Sequence, residues 1–283
     1  MIDLATLQAR AAIIRRLRAC YDAHGYLEIE TPVRIAAPAP EAFIDCPPVT
    51  TGGFLRASPE LQMKKILALG APAIYQIGPC FRDFEKGARH NPEFTMLEWY
   101  RLHADEETIK KEWLDVFTAL FEEFRHETPR LTEWKVREAY VRLAHWDPLT
   151  NFDRDRFDHD MALVIEPAIQ AAGGGIVLAD YPPACASLSR IVDGVAKRWE
   201  FYYNGLELVN CFSELCDPAE QRVRFAKERE IRAAQGESAY PEDEAFFDAL
   251  AQIESASGAS LGVDRLVMTL LGIDHIADVR WED

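Results

Sequence analysis

Three stretches of this 283-residue sequence carry side chains whose types and spacing could do chemistry. The first, FRDFEKGARHNPEFTMLEWYR, runs from Phe81 to Arg101 and sets Arg82 ahead of a charged loop and an aromatic-rich run containing Glu98. A strand has period two, so Phe94, Met96, Glu98 and Tyr100 share one face and Thr95, Leu97 and Trp99 the other. Aromatics beside a carboxylate suit a planar ring and an ammonium group. The second stretch, KRWEFYYNGLELVN, reads as a hairpin turning at Asn204-Gly205. That turn sets Tyr202 opposite Glu207, with Glu200 diagonal to Glu207 on the same side. Two carboxylates so placed repel unless a cation joins them, and Mg2+ uses one or two carboxylates together with substrate phosphates. Simple alternation then puts Asn210, Phe212 and Glu214 on the opposite face from Glu207. A shared site therefore requires a bulge between residues 207 and 210. In the third stretch, GASLGVDRLVM, small residues allow a ligand close to the backbone, Asp264 is the expected helix N-cap, and Arg265 opens the helix. Helix starts attract phosphate, and an arginine there strengthens the attraction.

Together these groups supply every role in adenylate formation: arginines for phosphates, glutamates for Mg2+, an aromatic for a base and carboxylates for an amine. In that reaction a substrate carboxylate attacks the α-phosphorus of ATP and pyrophosphate leaves. The carboxylate is already a nucleophile, so the protein needs to align reactants and neutralise charge rather than supply a general base. The lack of an obvious Ser-His-Asp or Cys-His arrangement agrees with this.

The elements that must position these groups are readable in outline. Leu4, Leu7, Ala11, Ile14, Leu17 and Tyr21 recur at helical spacing, with Gly25 as a stop. GYLEIETP reads as a strand ended by Pro32, and residues 36–53 as loop. In SPELQMKKILALG, Ser58 is the N-cap, Pro59 the first helical residue and Gly70 the end. AIYQIGPCFR and EFTMLEWY are strands, and residues 105–124 a helix with Ile109, Trp113, Val116, Leu120 and Phe124 on one face. Residues 127–180 give mixed signals, and residues 218–235 form a charged amphipathic helix. Strands arranged in hairpins predict an α+β fold: a largely antiparallel sheet flanked by helices.

The net charge of −16 argues against a broad phosphate-binding surface, though not against a local nucleotide pocket. No apolar run approaches the roughly 18 residues of a membrane span. Six cysteines without a CxxC pair read as reduced thiols of a cytoplasmic protein.

The same blocks resemble the catalytic domain of class II aminoacyl-tRNA synthetases of the lysyl type. GYLEIETP (about 25–32) resembles motif 1, the block over about 74–101 motif 2, and that over about 258–272 motif 3. RHNPEFTMLEWY and ELVNCFSEL resemble the lysyl branch, and HNPEFTMLEWYR with LGVDRLVM resemble its truncated paralogues, which attach (R)-β-lysine to a lysine of elongation factor P. Motif 1 begins about 25 residues in, so residues 1–283 are expected to be a single catalytic domain without an anticodon-binding domain. The resemblance implies ATP and Mg2+ as cofactors, lysine or (R)-β-lysine as substrate, elongation factor P as partner and a homodimer through motif 1. It implies no tRNA anticodon binding and no membrane. The same adenylation with another acceptor (tRNA, a small molecule or a lipid-linked amine) and a ligand-binding paralogue without catalysis remain alternatives.

Carried over residue by residue, the resemblance makes Arg82 and Arg265 the catalytic residues, holding the α- and γ-phosphate ends of ATP. Phe94 stacks on adenine, Glu85 meets its amino group, and His90 and Asn91 lie near ATP. Glu200 and Glu207 hold Mg2+, Glu207 also contacting ATP. Ser58, Glu60, Glu98, Tyr100, Asn210, Phe212, Glu214 and Ser260 line the amino-acid pocket. Three positions depart from the family pattern: Phe84 where a glutamate is frequent, Cys211 in place of a glycine, and Ser260. At the last, the tRNA synthetases have glycine and the factor-modifying ligases typically alanine; a serine there could alter substrate choice.

Overall fold

The structure, a computed structural model, describes residues 2–237 and 239–281. Helix α1 (Leu4–Ala23) is capped by Asp3, whose side chain accepts from the Thr6 amide, and Gly25 follows it at φ +76°. Strands β1 (Leu27–Glu28), β2 (Arg34–Ile35) and β3 (Phe54–Leu55) are short. Helix α2 (Glu60–Leu67) leads to the long strands β4 (Ala73–Phe81) and β5 (Glu93–Leu102). Helix α3 (Glu106–Arg125) starts at Asp105, which accepts from the Thr108 amide. After β6 (Leu131–Lys135) come α4 (Val136–Ala139), α5 (Arg154–Asp160) and α6 (Glu166–Ala172), with π-helical turns at Tyr140–Ala144 and Met161–Ile165. Strands β7 (Gly175–Tyr181), β8 (Ile191–Val192), β9 (Val195–Tyr203) and β10 (Leu206–Ser213) precede α7 (Pro218–Ala234) and α8 (Glu244–Leu250). Strand β11 (Ala256–Gly262) runs directly into α9 (Val263–Leu271).

The chain forms two compact units, each built from separated segments. The first comprises Met1–His103, Leu215–Ala256 and Gly262–Asp283. Here β4 pairs antiparallel with β5 and parallel with β1. The motif 1 run is thus a strand only at two residues, shorter than its pattern predicts. Period-two alternation sends Tyr75 and Trp99 to one side of the sheet, where the Tyr21 ring of α1 lies 5.3 and 5.2 Å from theirs. Ile74 and Tyr100 point to the other side, against Met63 and Leu67 of α2.

The second unit comprises Ala104–Glu214 and Ser257–Leu261. Its strands β7, β9, β10 and β11 pair antiparallel in succession, and β6 joins β7 in parallel. The sheets are therefore mixed: antiparallel pairs dominate, with parallel pairs at β1 and β6. Helix α3 covers one face of the second unit's sheet, its Phe117 ring 4.9 Å from Phe201 and 5.5 Å from Tyr203. The segment 136–169 covers the other, packing Val136, Tyr140, Phe157, Ile165 and Ile169 against Ile176, Leu178 and Tyr202. That segment is the one whose sequence gives no clean period. Two π-helical turns explain why, since each breaks the 3.6-residue repeat. The Asn204-Gly205 turn forms as predicted, with both residues at positive φ (48° and 79°) as a two-residue hairpin of this hand requires.

Candidate active site

In the first unit, Glu98 sits on β5 directly across from Gln76 of β4 and is only 1% exposed. Two hydroxyls hold its carboxylate. Ser58 Oγ donates to Oε1 at 2.6 Å and Tyr100 OH to Oε2 at 2.9 Å. Ser58 also accepts from the Glu60 amide at 3.0 Å. It is not the N-cap expected from the sequence: that position of α2 belongs to Pro59, and the helix begins at Glu60, one residue later than the pattern predicts. Burial, and after it the neighbouring charge of Glu60, pushes the Glu98 carboxyl up to about 7. Glu60 is paired one helical turn on with Lys64, whose Nζ lies 2.5 Å from its Oε1. Lys64 is itself 1% exposed and lies 5.8 Å from the Tyr100 ring centroid. Sequence reasoning missed Lys64; its i,i+4 spacing from Glu60 was the available signal.

The phosphate-type residues of this unit fall into two contacts. Arg82 lies over the Phe94 ring at 5.2 Å and 3.7 Å from Glu85. Phe84, where the family pattern often has glutamate, is 90% exposed at φ +64°, while Glu85 turns back to Arg82. Arg265 meets His90 Nε2 at 2.7 Å and donates through Nε to the Arg89 carbonyl at 3.3 Å. Partial burial and the charge of Arg265 lower the His90 pKa, so a neutral imidazole accepts from the guanidinium. Asn91 donates to the Glu93 carbonyl at 2.9 Å, which holds the loop to the start of β5. Asp264 is not the N-cap of α9. That position belongs to Gly262, and the buried Asp264 instead accepts from the Thr95 amide at 2.7 Å and pairs with Arg10 at 2.6 Å. A carboxylate in the first turn that bonds across to β5 ties helix to strand rather than closing its own helix.

In the second unit, the β9–β10 ladder slips by one residue between Glu207 and Val209. The bulge that a shared site demands is therefore present. Glu207, Asn210 and Phe212 stand opposite Tyr202, Glu200 and Arg198, which alternate onto a single face of β9. Glu200 is 7% exposed and accepts from Tyr181 OH at 2.5 Å, Tyr202 OH at 2.6 Å and the Arg198 guanidinium. Burial first, and then the Glu200 charge, raises both tyrosine pKa values well above normal. Asn210 is also directly opposite Ser260 of β11, so the two side chains stand on one face of the sheet. Cys211 points to the other side and is fully buried, its Sγ 4.0 Å from Ser257 Oγ, as a packing residue. Glu214 is 4% exposed and bridges to Ser189 beyond the end of β10. Arg198 was not singled out from the sequence, although its parity with Glu200 was readable.

The donor set suits Mg2+ in type. Glu200 and Glu207 are hard carboxylates on one face. Glu200 Oε2 already accepts from two tyrosine hydroxyls and Oε1 from Arg198, so at Glu200 only a second lone pair of Oε1 is left for a cation. No group of three His, Cys, Asp or Glu that could hold a metal exists among the described residues. Two carboxylates without a full protein cage is the pattern of Mg2+ bound through nucleotide phosphates. Among the described residues no helix is long and apolar enough to cross a membrane.

Comparison with known proteins agrees with this chemistry. The family of class II tRNA synthetases (D, K and N) matches residues 4–281. The elongation factor P–(R)-beta-lysine ligase of Proteus mirabilis (strain HI4320) is 34% identical, and that of Sodalis glossinidius (strain morsitans) 36%. The ligase of the same name from Histophilus somni (strain 2336) is 34% identical. Each alignment covers 98% of this chain and 94% of the relative. The chain belongs to the class II tRNA synthetase family of the D, K and N type.

Proposed function

We propose that this protein uses ATP to activate lysine or (R)-β-lysine as an aminoacyl-adenylate and transfers it to a lysine side chain of elongation factor P. The named activity of its relatives supports the acceptor. The observation that carries the amino-acid class is Glu98: a buried carboxylate held by two hydroxyls, with its pKa raised to about 7. Such a group is stabilised by a cation brought from outside, and a lysine-type substrate brings ammonium groups.

In this reading the residues divide the work. Arg82 and Arg265 hold the α- and γ-phosphate ends of ATP, Phe94 stacks on the base, and Glu85 accepts from its amino group. His90 and Asn91 shape the loop over the nucleotide. Ser58, Glu60, Glu98, Tyr100, Asn210, Phe212, Glu214 and Ser260 bind the amino acid. Glu200 and Glu207 would hold Mg2+, which, when bound, neutralises phosphate charge as pyrophosphate departs. The substrate carboxylate attacks the α-phosphorus, the bond to the β-phosphate oxygen breaks, and pyrophosphate leaves. The amine of the acceptor lysine then attacks the acyl carbon of the adenylate. AMP leaves on its phosphate oxygen, and the nitrogen loses a proton as the amide forms. Residues 1–283 act in this reading as one catalytic domain in the cytoplasm, paired with a second copy through the motif 1 segment. Light scattering then gives a mass near twice 32.1 kDa; a mass of one chain contradicts the pairing.

The test is the intact mass of elongation factor P after incubation with this protein, ATP, Mg2+ and either α-lysine or (R)-β-lysine. A gain of one lysyl unit is expected, and the preferred isomer shows what Ser260 permits. No gain with either isomer, alongside intact amino-acid-dependent pyrophosphate exchange, would move the transfer to another acceptor.

A further inference from the structure

Arg198 connects residues that the proposed function assigns to different ligands. On the same β9 face as Glu200, its guanidinium donates to the Glu200 carboxylate. Its Nε donates to Asn210 Oδ1 at 3.2 Å, and its Nη1 to the Cys185 carbonyl at 3.0 Å. The guanidinium also lies over the rings of Tyr181 at 4.6 Å and Phe212 at 5.4 Å. Three acceptors and two rings leave it one arrangement. Arginine has five N–H donors and no acceptor. Asn210 can therefore face it only with its oxygen, which turns Nδ2 away from Arg198.

We propose that Arg198 is a positioning residue for the amino-acid substrate: it locks the Asn210 amide so that Nδ2 presents its two N–H groups to an acceptor atom of the bound amino acid. An unheld asparagine amide flips between donor and acceptor faces, and a flipped Asn210 would set an oxygen where the substrate needs a donor. Held by Arg198, the amide discriminates for an acceptor and against an ammonium at that point. Lysine cannot replace this function, because a point-charge ammonium does not form the planar fork that spans Asn210, Glu200 and the Cys185 carbonyl. The inference rests on the reading that Asn210 lines the amino-acid pocket.

The test is calorimetric binding of α-lysine to the full chain as wild type, Asn210→Ala, Arg198→Lys, the double variant and Asn210→Asp, with melting curves for each. Asn210→Ala is expected to weaken binding about tenfold. Arg198→Lys should do the same, and the double variant should be no weaker than Arg198→Lys alone, because the two act as a unit. Asn210→Asp keeps the bond to Arg198 and removes the Nδ2 donors. It should melt no lower than wild type and lose at least tenfold in affinity, which tests the donor even where Arg198→Lys does not fold. Losses that multiply to about 100-fold in the double variant would overturn the inference, as would Asn210→Asp binding lysine like wild type. If Asn210→Ala itself binds lysine normally, the pocket assignment fails and the inference falls with it.

Discussion

Glu98 and Glu200 are close to a matched pair. Each is a glutamate on a long strand, each is almost wholly buried (1% and 7% exposed), and each accepts from two hydroxyls. They differ in one neighbour. Glu200 also holds a guanidinium, that of Arg198. Beside Glu98 the buried Lys64 is paired with Glu60, and its charge is a lesser influence on Glu98 than burial and the Glu60 charge. A buried carboxylate that holds a guanidinium is balanced as folded; at Glu98 burial and the Glu60 charge outweigh the two hydroxyls and the charge of Lys64, so the carboxylate stays costly to ionise until a further cation arrives. In this account the first unit holds a carboxylate prepared for the substrate's ammonium, and the second holds one already built into a frame.

Predictions that break or sharpen this contrast start with the phosphate end, where the charges are of the opposite sign. Arg265 is directed at the neutral imidazole of His90 and a backbone carbonyl. Arg265→Ala should lower amino-acid-dependent pyrophosphate exchange by about 10²–10³-fold with an unchanged melting curve. Near-normal exchange would remove Arg265 from the phosphate site. Next in size is Glu200→Gln, which leaves the Arg198 guanidinium without its carboxylate. A loss of about 3 kcal/mol in denaturant unfolding is expected. Glu98→Gln should cost less than about 1 kcal/mol, because a neutral amide there avoids burying a charge. Equal losses for the two variants would erase the contrast. Glu98→Gln should instead raise the amino-acid KM about 10–100-fold with kcat little changed. An unchanged KM would refute its role.

Local chemistry was legible in the sequence and long-range partnership was not. The Asn204-Gly205 turn follows from two residues that tolerate positive φ, and the shared face of Glu98 and Tyr100 follows from strand parity. The bulge after Glu207 was deduced from the demand that Asn210 and Phe212 face the same way as Glu207, and the ladder slips there. By contrast, GYLEIETP pairs over only two residues, because its ladder is set by β4, 47 positions away (Leu27 against Ile74). Asp264 looks like a cap by position, yet it bonds to Thr95 and Arg10, partners that no local pattern names. Arg198 was placed on the right face by parity, but its bonds to Asn210 and Cys185 depend on three-dimensional neighbours.

The central claim is that Glu98 takes up the substrate's ammonium, and calorimetry of α-lysine binding between about pH 6 and pH 8 tests it most directly. Runs in buffers of different ionisation enthalpy count the protons exchanged. Burial and the Glu60 charge push the Glu98 carboxyl up to about 7. Below that pH its carboxyl is protonated, and the incoming ammonium must drive the proton off. Affinity should therefore rise with pH by up to about tenfold per unit below 7 and level off above it. Proton release should approach about one per lysine at the acid end and vanish at the alkaline end. Glu98→Gln should abolish both effects. Lysine binding with no proton release and no pH dependence in the wild type would contradict the account.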